Sequence, residues 1–183
     1  REVFKSIDRL VYYAGWADKY QQIFSSVNPV SSPHFNFSML EPVGIVGIIA
    51  PKNSGLLGLI SNLAPVIVGG NTAVVLASDL MPLCSVSFAE VLHAADVPPG
   101  VVNILTGHRE ELLEQFAGHM DINALVHCTD NNEEIRQAQY HAANNIKRVI
   151  CRSESDWFKD IKENPYFISD TLETKTTWHP IGE

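Results

Sequence analysis

The chain has 183 residues, of which 45% are hydrophobic and 19% charged, and its formal net charge is −8. That length allows one globular unit with a sizeable core, and the acidic balance argues against nucleic-acid phosphates or an anionic membrane as partners. No apolar run approaches the ~18 residues of a membrane span; the longest, 43–50, is interrupted by Gly44 and Gly47.

Along the chain, Val3, Phe4, Ile7, Leu10, Val11, Ala14 and Tyr20 recur in three- and four-residue steps. They predict an amphipathic helix with this stripe turned to the core, in an N-terminal helical segment spanning 1–25. A Pro- and Ser-rich stretch, 25–33, follows, and then Phe35 and Phe37 alternate with polar neighbours as in a half-buried strand over 35–39. From residue 43 the pattern becomes regular. β-rich runs at 43–50, 72–76, 101–105, 124–127 and 148–151 alternate with helical stretches at 56–68, 83–95, 110–118 and 133–144. The breaks carry turn chemistry: Gly69-Gly70-Asn71, Pro98-Pro99-Gly100, and Thr129-Asp130 as a helix N-cap.

Five strands joined by four such helices predict right-handed crossovers and a doubly wound α/β fold over 43–152, with a five-stranded parallel sheet. The segment 154–165 is polar without a clear period, whereas 171–181 alternates like a single strand that needs a partner. The strand at 35–39 is the expected one. The organisation that follows is a small β flap from 26–42 with 168–183, and a linker at 153–167.

Three cysteines, Cys84, Cys128 and Cys151, are odd in number and irregularly spaced, which fits a reducing, cytoplasmic setting. The seven histidines form no ligand-spaced cluster, so no metal site is expected. There is no signal peptide and no initiator Met, and the chain reads as a piece of a longer polypeptide.

Open parallel sheets bind ligands beyond the carboxyl ends of their strands, here the loops after Ala50, Leu76, Leu105, His127 and Cys151. No Gly-x-Gly-x-x-Gly is present. Instead, YYAGWADKY at 12–20, EPVGIVG at 41–47, Pro51 with Asn53, LAPVIVGGNTAVVL at 63–76, VPPGVVNILTG at 97–107, NIKRV at 145–149 and LETKTTWHP at 172–180 stand in order. In these segments the chain resembles the aldehyde dehydrogenase superfamily, which implies a Rossmann-like cofactor domain of that type and an oligomerisation flap.

The resemblance also implies a chemistry: a thiolate nucleophile, a carboxylate that activates water, and donors for an oxyanion. Asn53 matches the family's oxyanion-hole Asn. The family's base is the Glu of an ELGG run, where this chain has Arg152-Ser153-Glu154-Ser155. Arg152 cannot accept a proton, and Glu154 stands in place of a glycine. The nucleophile belongs to a separate domain beyond that run, but 153–167 holds no cysteine. Cys128 adjoins His127, yet neighbours on a strand point to opposite faces; Cys84 and Cys151 read as ordinary core residues.

The cofactor positions form a degenerate site around Pro51, Lys52, Leu76, Asp79, Gly107 and Asp130. Leu76 replaces a ribose-binding Lys, Asp79 replaces a Glu, and Lys52 replaces an aromatic residue. His127-Cys128-Thr129-Asp130 stands where the family has Phe-Thr-Gly-Ser, and Arg109 interrupts the glycine-rich turn after Gly107. No cofactor is expected to bind tightly, with weak NAD binding as the remaining possibility. The combination most resembles the C-terminal, non-catalytic aldehyde dehydrogenase-like half of family 16. It implies a structural, oligomerisation or protein-interaction module of a larger chain, docking on itself or on a preceding aldehyde dehydrogenase-like domain through Phe35, Phe37 and Trp178. The alternative is the residual NAD-binding part of an oxidoreductase completed by the rest of the polypeptide.

Overall fold

The structure, a computed structural model, describes residues 1–154 and 156–182. Ser155 of the 152–155 run and Glu183 at the end of the expected flap lie outside the described residues. The chain opens with α1 (Glu2–Ala14), α2 (Tyr20–Phe24), β1 (Ser26–Asn28) and β2 (His34–Pro42). It then alternates through β3 (Ile45–Ile49), α3 (Leu57–Val68), β4 (Thr72–Leu76), α4 (Pro82–Ala94), β5 (Val102–Leu105), α5 (Arg109–Gly118), β6 (Ala124–Cys128), α6 (Asn132–Ala142) and β7 (Arg148–Arg152). The last elements are α7 (Tyr166–Ser169) and β8 (Leu172–Pro180).

The doubly wound α/β fold expected from the alternation is the one formed: a parallel five-stranded sheet in the order β5-β4-β3-β6-β7. The two-residue period of the strands sorts side chains to two cores. Ile48, Val75 and Val126 pack with Leu59, Leu63 and Phe88 under α3 and α4, while Ile49, Leu76 and Leu125 pack with Leu113, Phe116 and Ala138 under α5 and α6. Each fully buried aliphatic chain contributes about 1.5–3 kcal/mol relative to exposure. Gly47 lets α5 approach, since a Cβ there would lie 3.1 Å from the Phe116 ring. The chain changes face between β5 and β6, so β3 and β6 become neighbours at a topological switch point.

Three features depart from the sequence pattern. First, α1 is turned over. Ser6, Arg9 and Tyr13 are its buried residues, while Val3, Phe4 and Val11 are 57%, 75% and 66% exposed. Arg9 tolerates burial because its guanidinium is satisfied: Nη1 donates to Ser61 Oγ at 2.6 Å and Lys162 O at 3.0 Å, Nη2 to Trp157 O at 3.2 Å, and Nε to Glu163 Oε1 at 3.3 Å. Ser61 belongs to α3, and the other three acceptors come from the segment joining β7 to β8. Second, the helical segment breaks after Ala14 and resumes at Tyr20, and the Pro/Ser-rich stretch contains the short strand β1.

Third, α6 is capped by Asn131, whose side chain accepts the Glu133 N–H at 2.9 Å. The Thr129-Asp130 cap expected from the sequence does not form, because the Asp130 carboxylate instead accepts the Glu154 N–H at 3.1 Å.

The segment after β7 is packed down. Trp157 is 4% exposed, and the Lys162 ammonium lies 4.2 Å over its ring while donating to Ser153 O. Beyond it, β8 pairs antiparallel with β2 along nine residues, giving a flap ordered β1-β2-β8. The register opposes Asn36 to Trp178 and Phe37 to Thr177. Directly paired residues share a face, so Trp178 stands with His34 and Asn36, its ring 5.8 Å from His34. The single apolar face of Phe35, Phe37 and Trp178 is therefore corrected to two: Val27, Phe35, Phe37 and Met39 form one stripe, and Trp178 lies on the other side.

Candidate functional site

All five loops at the carboxyl edge of the sheet meet in one polar network. Arg109, the first residue of α5, is 2% exposed. Its Nη2 donates to Ala50 O at the end of β3 at 2.6 Å, and its Nη1 donates to Glu134 Oε2 at 3.2 Å and Glu154 Oε1 at 3.1 Å. Lys52 adds a second cation, with Nζ 3.2 Å from Glu134 Oε1 and its backbone N–H on Glu154 Oε1. Ser78, after β4, donates to Lys52 O at 2.7 Å. Two cations thus face two carboxylates at the switch point. Burial alone would raise the Glu134 carboxyl, but hydrogen bonds from Thr129 and Lys52 and the Arg109 charge outweigh it and hold the group below its ordinary value.

Other helix starts at this edge are also filled by the chain's own groups. Glu2 Oε1 reaches across from α1 and accepts the N–H groups of Leu56 and Leu57 at 3.3 and 2.9 Å, with Ser54 Oγ at 3.3 Å. Glu133 and Glu134 occupy the first turn of α6. Free N–H groups and the macrodipole make helix starts natural seats for anions. Here the anions are carboxylates.

His127 lies beneath the network at 0% exposure. Its Nε2 is 3.5 Å from Glu134 Oε2, and neither ring nitrogen has a hydrogen-bond partner among the described residues. Burial, reinforced by the Arg109 charge, lowers its pKa to about 4, so the ring is neutral at pH 7. Its neighbour Cys128 faces the other core, and burial pushes that thiol up to about 12. The two side chains on opposite sides of β6 do not form a catalytic couple.

The positions matched to catalysis, Asn53 and Arg152, hold no base and no nucleophile. Asn53 is exposed and lines a pocket of about 190 Å³ with Glu154, Trp157 and Phe158. Arg152 turns inward beneath α3, 5% exposed. It donates to Asn62 Oδ1 at 2.9 Å and Asp170 Oδ2 at 3.0 Å, and its guanidinium stacks 3.8 Å from the Phe167 ring centroid. It is a cross-link between β7, α3 and the segment leading to β8.

The positions matched to a dinucleotide fare similarly. Leu76 is 1% exposed in the core beneath α5. Pro51 packs on α3 beside Gly58, and a Cβ at Gly107 would meet Leu112 at 2.7 Å. Asp79 Oδ1 is buried without a hydrogen-bond partner among the described residues, and Asp130 holds Glu154. A pyrophosphate at this edge would have to displace two ion-paired carboxylates, so the residues present do not fit that group.

Comparison with known proteins places this geometry. The sequence profile described as "Aldehyde dehydrogenase family" matches residues 1–155. The chain belongs to the aldehyde dehydrogenase family. It is 37% identical over 145 residues to retinal dehydrogenase 2 of Mus musculus, covering 78% of this chain and 27% of that protein. It is 34% identical over 145 residues to "Aldehyde dehydrogenase, cytosolic 1" of Elephantulus edwardii, covering 78% and 28%. Among solved structures, PnpE from Pseudomonas sp. WBC-3 superposes with a TM-score of 0.77 at 27% identity, covering 82% of this chain and 30% of that one. The NAD+ complex of an aldehyde dehydrogenase from Bacillus cereus gives 0.77 at 27% identity, covering 84% and 30%. The chain therefore spans under a third of the length of these proteins.

The network at the carboxyl edge was only partly visible in sequence. Arg109 stood out as an interruption of a turn, and Lys52 as a replaced aromatic residue. Glu134, Glu2 and His127 lie on helical or strand patterns that give no hint of where their polar ends go. Among the described residues, no cluster of His, Cys, Asp and Glu could hold a metal ion, and no helix is long and apolar enough to cross a membrane.

Proposed function

We propose that this chain is a non-catalytic aldehyde dehydrogenase-like module that assembles or positions a larger aldehyde dehydrogenase chain. One observation carries this reading. The strand that ends at Arg152 is joined to the flap strand β8 by residues 153–171, which contain no cysteine and pack as a short cover. By its resemblance, the family places a whole catalytic domain at this point. The position matched to its base is a buried, hydrogen-bonded guanidinium. This arrangement supports the narrower likeness to the C-terminal half of family 16, and the similarity to a protein named as cytosolic supports a cytoplasmic setting.

The docking element in this reading is the flap, and the partner is a second copy or a preceding aldehyde dehydrogenase-like domain. β8 is an edge strand whose residues beyond Leu172 are exposed, and the stripe of Val27, Phe35, Phe37 and Met39 stands open beside it. Ile168 and Leu172 belong to the core, so the clean truncation is after Leu172. The truncated chain is expected to show a lower mass by light scattering, or to lose binding to the preceding domain, with an unchanged far-UV spectrum for the main sheet. The same oligomeric state and the same binding in both chains would leave the flap purely structural. The second reading, a residual NAD-binding part of an oxidoreductase, is favoured by the B. cereus neighbour whose structure is an NAD+ complex. NAD+ titration of this chain separates the two.

A further inference from the structure

The crevice at the switch point between β3 and β6 is the place where a doubly wound sheet ordinarily receives a nucleotide. We infer that this crevice is closed from within, and that the clasp of Arg109 with Glu134 and Glu154 decides against a nucleotide, more than any lost contact at Leu76 does. The inference does not depend on what the flap docks to.

Three observations converge on it. Arg109 begins a helix, where a cation opposes the macrodipole, yet it is buried and has three acceptors: Ala50 O, Glu134 and Glu154. Only an arrangement that compensates the charge locally keeps it there. The carboxylates come from two other loops, so the guanidinium ties α5, α6 and the end of β7 over the carboxyl end of β3. Lys52 and Asp130 complete the closure, one on Glu134 and the other on the Glu154 N–H. The net result is a neutral pairing of two cations with two carboxylates across the gap a phosphate would need. Leu76, by contrast, lies under α5 with its side chain in the core. A lysine there would have no open crevice to reach into while the clasp stands.

The test uses the full chain with NAD+ as the probe. Saturation-transfer NMR is run on the wild type, on Arg109→Ala/Glu134→Ala, and on Glu134→Gln/Glu154→Gln. The last pair keeps side-chain size and leaves Arg109 as an uncompensated cation. The wild type is expected to give no saturable signal up to millimolar NAD+. Each double variant should gain a saturable signal competed by AMP, with at least a tenfold rise in apparent affinity. If the alanine pair fails to fold, the isosteric glutamine pair carries the decision alone. A wild-type dissociation constant in the micromolar range would overturn the inference, and so would folded variants that remain blind to NAD+. A failure of this kind is distinguishable from failure of the module reading, because truncation of β8 leaves the crevice intact.

Discussion

Replacing His127 with Phe tests the buried edge of the sheet most sharply. In the folded chain the imidazole pKa falls from 6.5 to about 4, chiefly because burial disfavours the charged form. Between those values the unfolded chain takes up a proton that the folded chain refuses. Stability therefore declines as pH falls through this window, and the loss is complete below about pH 4. At about pH 5 the difference amounts to about 2 kcal/mol relative to neutral pH, a sizeable part of a typical domain's 5–15 kcal/mol. His127→Phe removes the titration together with two unpartnered ring nitrogens. Urea unfolding of both proteins at about pH 7 and about pH 5 should show the wild type losing about 2 kcal/mol more than the variant. If both proteins lose the same amount, His127 is not held neutral in the folded chain and the account of its site is wrong.

Arg152→Glu restores the family's carboxylate in name, but places it beside Asp170 and removes the bonds to Asn62. It should destabilise by about 3–5 kcal/mol in urea unfolding and yield no aldehyde oxidation in a spectrophotometric assay with NAD+. Leu76→Lys buries an amine in the core under α5, at about 4 kcal/mol for a shift of roughly three pKa units. Its thermal midpoint should fall while NAD+ affinity stays unchanged. Cys84 and Cys151, expected in the core, are exposed, so in the native chain a thiol reagent such as DTNB should modify both and spare Cys128, whose thiol is buried and pushed up to about 12. Modification of all three thiols at one rate would contradict the buried placement of Cys128.

The sheet was legible because its strands are short, β-branched and separated by Gly- and Pro-rich turns. Burial on both sides leaves little choice about what such runs become. The face that α1 buries was not legible. Three- and four-residue spacing establishes a helix, but an apolar stripe turns inward only if the neighbouring surface is apolar. Here the neighbour supplies carbonyls from residues 157 and 162, so Arg9 wins the inner side. The Trp178 placement failed for a related reason. Alternation fixes which residues share a face within one strand, whereas register between β2 and β8 fixes it across two. At the carboxyl edge, the sequence showed which family groups were missing, but not that Arg109, Glu134 and Glu154 would find one another over intervals of 25 and 45 residues.

The pairing of β2 with β8 sets an order on the birth of this protein. Ser38 and Thr176 share a hydrogen bond across 138 residues, so during synthesis the first half of the flap leaves the ribosome long before its partner. All five strands of the β3–β7 sheet emerge within that interval. Meanwhile β2 waits with one edge unpaired, and α1 waits for the acceptors that let Arg9 sink. Neither the β2–β8 pairing nor the seating of Arg9 can be completed until the residues after β7 have emerged. Until then, the open edge of β2 is available to chaperones and to pairing with another nascent chain.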